Sequence, residues 1–449
     1  MRTLTGVSIW ALAALSFLAP ATWCEDASAH ANEILTIERA HELAILNAPN
    51  ITVAQLAVLQ AQEDVSLARA AYLPQAIGNL TLARASQDNT RLAAGALNNP
   101  SVYDRTAVGL TVTQLITDFG RTTGTIDAVR MHAWAEGKRS LATIDDILLE
   151  VDTLYFRTLQ SQARVAVAEQ TVSNRTTIAD RVAGLAANKL KSELDVSFAR
   201  VNLEEGRMLL AQVANELSIN RLTFAALLGF DAPQPFRLVE QPVYPPSEAQ
   251  AEAQVARALS GNPGIAHLRL EISSAIRASD AADALDYPTL SAIGAAGLVY
   301  DHDPRLPSNY AAGAFNLSLP LYAGGTIATQ RHQAERRIEI LRATLRAAED
   351  DLAKEVRVAL ANISYTYARL AMSGKLLEQA VLSYDLAKSR FDLGLTSIVE
   401  LNQADLNRTS AALTESTAKQ DYLIQQAILT NRLGAVAIPV TSQPAPASP

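Results

Sequence analysis

The sequence predicts an α+β membrane protein with an internal two-fold repeat, in which short barrel-type strands run into very long coiled-coil helices. Three observations carry that expectation. The run Val108-Gly-Leu-Thr-Val-Thr-Gln-Leu-Ile-Thr-Asp-Phe-Gly120 returns as Gly313-Ala-Phe-Asn-Leu-Ser-Leu-Pro-Leu-Tyr-Ala-Gly-Gly325, so a unit is duplicated. Residues inside that run alternate apolar and polar, the period of a strand. The stretches that follow lack proline and repeat apolar residues at steps of three and four, the period of a packed helix.

The chain opens with one positive charge at Arg2, an apolar stretch from Val7 to Pro20 and small residues at Ala27-Ser-Ala29 and Ala29-His-Ala31. That order describes a secretory signal peptide over residues 1–31. The only cysteine, Cys24, precedes either cleavage site, so the exported chain would form no disulfide. Trp23 before it argues against lipidation, which needs a small residue there. Beyond the signal no apolar run reaches about 18 residues, so any membrane span must be a β-barrel. The net charge of -8, with Lys and Arg dispersed, gives no footing for a nucleic-acid partner.

Helices are expected over Ile37 to Asn47 and Ile51 to Ala71, and again over Glu248 to Ser260 and Ile265 to Leu285, with Pro49 and Pro263 breaking each pair. First and third strands, Gln75 to Ser86 and Thr289 to Tyr300, alternate weakly. The second and fourth are clearer. Val108, Leu110 and Val112 oppose Thr111 and Thr113, while Phe315, Leu317, Leu319 and Leu321 oppose Asn316 and Ser318. This is the apolar-out, polar-in pattern of a membrane strand, although a half-buried strand of a soluble sheet alternates in the same way. Arg91 to Pro100 reads as the longer of two loops between strands.

Rods should run from Arg121 to about Ala187 and from Thr326 to about Phe391, each roughly 100 Å long at 1.5 Å per residue. Ile144, Leu148, Val151, Tyr155 and Val165 mark the first stripe, interrupted by Thr158 and Gln162. Leu352, Val356, Ala359, Ile363, Thr366 and Leu370 mark the second. Short turns, Asn188 to Ser192 and Leu393 to Ser397, then lead into returning helices that end near Leu228 and Leu433. Four strands cannot close a barrel, whose smallest members have about eight, so the barrel reading requires several copies of the chain. Proline-rich residues 438–449 are expected to be disordered.

Leu35-Thr-Ile-Glu-Arg-Ala40, Tyr72-Leu-Pro74, Pro320-Leu-Tyr-Ala-Gly-Gly325 and Arg390-Phe-Asp-Leu-Gly-Leu-Thr-Ser397, in this order and with the duplication, resemble the TolC family of bacterial outer-membrane efflux proteins. The resemblance covers residues 33 to 435 and divides the chain into efflux repeats at 32–235 and 236–437. It implies a homotrimer whose twelve strands form one barrel in outer-membrane lipid, continuous with an α-helical coiled-coil tunnel extending into the periplasm. It also implies a periplasmic adaptor and an inner-membrane transporter as partners, in a tripartite efflux or type I secretion system exporting small molecules or proteins. Departures fall in the first repeat: Leu115 for proline, Phe119 for glycine, and Lys189 opposite Gly394, with Asn188 expected to supply a left-handed conformation nearby.

By the same resemblance the hairpin turns form the periplasmic tip. Asp195 and Glu400 match the family's acidic position at the aperture, and Gln403 stands where some members have a second acid. The competing reading is helix capping: Ser397-Ile-Val-Glu400 reads as a capping box and Ser192-Glu-Leu-Asp195 as close to one. Leu190, Ser192, Gly394, Leu395, Thr396 and Ser397 are candidates for adaptor contact, against the plainer reading of a helix-connecting turn. The glycines Gly120, Gly324 and Gly325 should serve backbone geometry.

No catalytic motif, cofactor fingerprint or zinc-ligand spacing among the six histidines emerges, so neither an enzyme nor a metal or cofactor is expected. Asp301-His302-Asp303 reads as a solvated loop. The rival from another class is a soluble exported coiled-coil adaptor or scaffold.

Overall fold

A computed structural model of the chain describes residues 34–83, 90–91, 101–102, 105–232, 236–246, 250–301 and 307–434. The signal peptide, the C-terminal tail, most of the Arg91 to Pro100 loop and the His302-Asp303 part of the acidic triplet lie outside the described residues, as does the expected helix start at Glu248.

The first half runs β1 (Ile34–Leu35), α1 (Ile37–Asn47), α2 (Pro49–Ala70), β2 (Gln75–Ala83), β3 (Thr90–Arg91), β4 (Ser101–Val102), β5 (Arg105–Thr117), α3 (Arg121–Ala187) and α4 (Glu193–Leu227). The second runs β6 (Arg237–Leu238), α5 (Ala251–Gly261), α6 (Pro263–Asp283), β7 (Thr289–Asp301), β8 (Asn309–Ser318), α7 (Thr326–Asp392) and α8 (Ile398–Arg432). Both α3 and α7 contain 67 residues, and both α4 and α8 contain 35. At 1.5 Å per residue each long helix spans about 100 Å. Among the described residues no single helix is long and apolar enough to cross a membrane.

The rods exist because their apolar stripes have partners. Ile144, Leu148, Val151 and Tyr155 are buried in a core with Phe224 and Leu228, and Leu352 and Val356 in another with Val255, Ile265 and Leu433. Ala359, Ile363 and Thr366 are buried as well, whereas Val165 and Leu370 are half-buried. Thr158, the polar break in the first stripe, is buried at no loss because its hydroxyl donates to the Leu154 carbonyl at 2.7 Å. The Tyr155 hydroxyl ties the middle of α3 to both short strands. It lies 2.9 Å from the Leu35 and Val239 carbonyls and accepts from the Val239 amide at 2.8 Å, beside the parallel pairing of β1 with β6.

Positive φ among the described residues is confined to Phe119, Gly120, Lys189 and Gly229 in the first half and Gly324, Gly325, Gly394 and Gly434 in the second. Each of the latter stands 205 positions after one of the former. Gly120 and Gly325 directly precede the two rods, where the chain turns out of the sheet. Lys189, not Asn188, holds the left-handed position in the first turn; Asn188 has φ −91°. The place is fixed by the geometry of the helix end, one residue beyond the cap, and the preference of asparagine does not move it.

Candidate functional site

Two regions at opposite ends of the rods carry the functional geometry: a four-stranded sheet and the pair of helical turns. The sheet is antiparallel in the order β2-β5-β7-β8, with strands of 9, 13, 13 and 10 residues, the length that crosses a bilayer when tilted. Directly paired residues share a face. The register aligns Leu80 with Val108 and Val108 with Leu298, and further along Leu290 with Leu317 and Ala292 with Phe315. Leu110 and Val112 lie on that same face. The opposite face carries Asn79, Thr111, Thr113, Ser291, Asn316 and Ser318, with Tyr310 lying against Gly109 and Gly297. A Cβ on either glycine would meet the Tyr310 ring or hydroxyl at 2.5 to 2.7 Å.

Among the described residues the apolar face has no cover. Phe315 is 78% exposed and Leu317 65%, and every residue of β8 is exposed. In water each such side chain forgoes about 1.5–3 kcal/mol of burial; hydrocarbon removes that deficit. Among the described residues both outer strands, β2 and β8, also leave one edge of backbone donors and acceptors unpaired, which lipid does not tolerate.

At the other end the two turns close alike. The Leu190 amide donates to the Leu185 carbonyl at 2.9 Å and the Leu395 amide to the Arg390 carbonyl at 2.8 Å, which satisfies helix-end carbonyls in the Schellman manner. Ser192 and Ser397 are the N-caps of α4 and α8. Their acidic partners behave oppositely to the sequence expectation. Ser192 and Asp195 make the full capping box: the Ser192 amide donates to Asp195 Oδ2 at 3.0 Å, and the Asp195 amide to Ser192 Oγ at 3.2 Å. These hydrogen bonds, that from the Ser192 backbone first, hold the Asp195 carboxyl below its ordinary pKa.

Ser397 accepts from the Glu400 amide at 3.4 Å, but the Glu400 carboxylate turns elsewhere. One oxygen takes the Arg390 guanidinium at 3.1 Å and the other accepts from the Thr396 hydroxyl. Gln403 donates to Asn407 at 3.1 Å. Leu190 and Leu395 project from equivalent places, 70% and 67% exposed. Behind the turns a core joins all four long helices through Val182, Val196, Tyr384, Phe391, Ile398 and Leu401, and Lys191 Nζ sits 4.2 Å from the centroid of the Phe391 ring, linking one turn to the other hairpin.

The comparisons decide what this architecture is. Residues 40–230 and 255–435 both match the family described as outer membrane efflux protein. The chain belongs to that family. The efflux family member is 26% identical over 394 residues to Protein CyaE of Bordetella pertussis, covering 84% of this chain and 79% of that protein. It is 25% identical over 367 residues to the pyoverdine export outer membrane protein OpmQ of Pseudomonas aeruginosa, covering 79% and 76%. Its fold is that of the Campylobacter jejuni CmeC outer membrane channel, with a TM-score of 0.79 at 16% identity over 89% of this chain and 85% of that one. The Vibrio cholerae outer membrane protein VceC superposes with a TM-score of 0.74 over 89% and 96%. The chain is thus an outer-membrane efflux protein, not an enzyme, with the fold of the solved outer-membrane channels.

Sequence reasoning missed the charged cluster behind the tip. Asp405 lies between two guanidiniums, Arg175 Nε at 2.8 Å and Arg408 Nη2 at 2.8 Å, and Arg408 stacks 4.1 Å from the centroid of the Tyr384 ring. The participants come from three helices, and only the Asp405–Arg408 pair on α8 has a local spacing; Arg175 and Tyr384 join it through packing alone.

Proposed function

We propose that this chain is one third of a homotrimeric outer-membrane channel-tunnel. Three copies of the β2-β5-β7-β8 sheet would pair β2 of one with β8 of the next into a twelve-stranded barrel, and the four long helices of each copy would extend it as a periplasmic tunnel. The observation that carries this is the uncovered apolar face on a sheet with two free edges, because closure in lipid resolves both at once. The paired left-handed positions and the two family matches support reading 32–235 and 236–437 as repeats, each supplying two strands and one long hairpin. Purified protein in planar bilayers should give stable ion conductance and migrate as a heat-modifiable oligomer; recovery in the soluble periplasmic fraction would instead favour a coiled-coil scaffold.

Cargo would pass from an inner-membrane transporter through a periplasmic adaptor, in a tripartite efflux or type I secretion system. Relatives named for pyoverdine export and fusaric acid resistance support small organic molecules among the cargo. Asp195, Glu400 and Gln403 would line the periplasmic aperture, where rings of carboxylates favour cations. Leu190, Ser192, Gly394, Leu395, Thr396 and Ser397 would meet the adaptor at the tip. The exposure of Leu190 and Leu395 supports a docking role, and intact adaptor crosslinking after Leu190→Glu with Leu395→Glu would end it.

A further inference from the structure

We propose that His132, Glu136 and Glu271 bind a divalent transition-metal ion, with zinc as the chemically favoured occupant. The three side chains offer one ligand atom each within 4.8 Å of one another. His132 Nδ1 and Glu271 Oε1 are 2.6 Å apart across α3 and α6, although 139 positions separate them in sequence. On α3, His132 and Glu136 are four residues apart and therefore share a face. On α6, His267 and Glu271 repeat the same spacing.

The two helices run antiparallel here. The Ser274 hydroxyl meets the Ala128 carbonyl, Glu271 meets His132, and His267 meets the Ala135 carbonyl. Two His-x-x-x-Glu pairs therefore face each other in opposite directions, which is why neither half reads as a metal motif alone. Imidazole with carboxylates is a donor set for zinc and its transition-metal neighbours rather than for calcium or magnesium.

His267 flanks the cluster on α6, outside the 4.8 Å within which the three ligand atoms gather. Its Nδ1 lies 2.9 Å from the Ala135 carbonyl, and since a carbonyl only accepts, Nδ1 carries the proton. Charge points the same way as the donor set. The Glu136 and Glu271 side chains are only 12% and 16% exposed, and a single imidazolium offsets one of two crowded carboxylates. Arg139 is 67% exposed and reaches Glu136 only at 3.5 Å. A divalent cation neutralises both acids, replacing the direct His132–Glu271 hydrogen bond with bonds of about 2.0–2.2 Å to the ion.

The fold does not need these residues for packing alone. At the repeat-related positions stand Arg337, Leu341, Ala57 and Val53, so the site would occur once per chain. It would clasp α6 of the second half to the first-half rod.

The test uses tag-free full-length protein in detergent, stripped with chelator and titrated with zinc by calorimetry, with metal content read by mass spectrometry after dialysis. One zinc per chain should bind with a Kd of about 10 μM or tighter, and the apparent melting temperature should rise with zinc but not with magnesium. Glu136→Gln should weaken binding at least tenfold and abolish the zinc-dependent shift while melting as the parent does without metal, because the His132–Glu271 contact remains. Absence of stoichiometric zinc, or unchanged affinity in Glu136→Gln, overturns the site. His267→Ala should leave the zinc affinity within about twofold of the parent, since the three ligands remain.

Discussion

Lys189 and Gly394 occupy the same place in their hairpins and share a left-handed backbone, with φ of 59° and 74°. A lysine there carries a Cβ penalty of roughly 1–2 kcal/mol that glycine does not, partly offset by the extra chain entropy glycine loses on folding. Lys189→Gly is therefore expected to stabilise the first turn by about 1 kcal/mol, and Gly394→Ala to destabilise the second by a similar amount. Denaturant unfolding of the detergent-solubilised protein checks both signs.

Asp405 is the keystone of the charges behind the tip. Arg175 is 5% exposed and depends on it, with its remaining donation to the Asn202 carbonyl at 2.7 Å. Removing the acid leaves a buried guanidinium with only the half-exposed Glu205, 3.9 Å away, as counter-charge, so Asp405→Ala should cost about 3 kcal/mol. Combining it with Arg175→Met should recover much of that loss, because one orphaned charge disappears. A double-mutant cycle in denaturant measures the recovery.

Burial, with Asp146 adding to it, pushes the Asp145 carboxyl up to about 6. Its folded pKa thus lies above its unfolded value, and the folded state binds the extra proton. Between about pH 4 and 6 stability falls as pH rises, and above 6 the full cost of burying the charge is present, on the order of 3 kcal/mol. Asp145→Asn should raise the apparent melting temperature at pH 8 and leave it nearly unchanged at pH 4. An equal effect at both values would remove burial of the charge as the cause.

The two tip acids should contribute unequally to ion selectivity. Glu400 is paired with Arg390, whereas Asp195 is held charged mainly by hydrogen bonds from Ser192, with Lys191 nearby but no ion pair among the described residues. Reversal potentials in bilayers under a salt gradient should show a larger loss of cation preference for Asp195→Asn than for Glu400→Gln. If neither changes the reversal potential, the aperture ring reading fails.

Long-range order in the rods was legible because it is periodic: Arg121 and Thr326 begin the two helices where proline ends and the stripe starts, and Ala187 ends the first. The apolar face of β8 was equally plain in Phe315 and Leu317. Weakly alternating strands became interpretable only through register, which places Leu80 and Leu298 beside Val108. What the sequence hid depends on competition between side chains. Ser397 and Glu400 have the spacing of a capping box, yet Arg390 and Thr396 claim the carboxylate; Ser192 and Asp195 have a shorter acid, which reaches its cap unopposed. Arg175 and Asp405, 230 positions apart, and the facing His-Glu pairs of α3 and α6 meet only through helix packing.

Cysteine crosslinking between the free sheet edges tests the central claim most directly, since the sole natural cysteine, Cys24, precedes the expected mature chain. Asn79→Cys in β2 would be paired in turn with cysteines at 310, 312, 314 and 316 in β8, all on one face by register, and oxidised in outer-membrane vesicles. At least one combination should give a covalent trimer on denaturing gels. Only monomers or intramolecular links across the whole set would contradict the closed trimeric barrel.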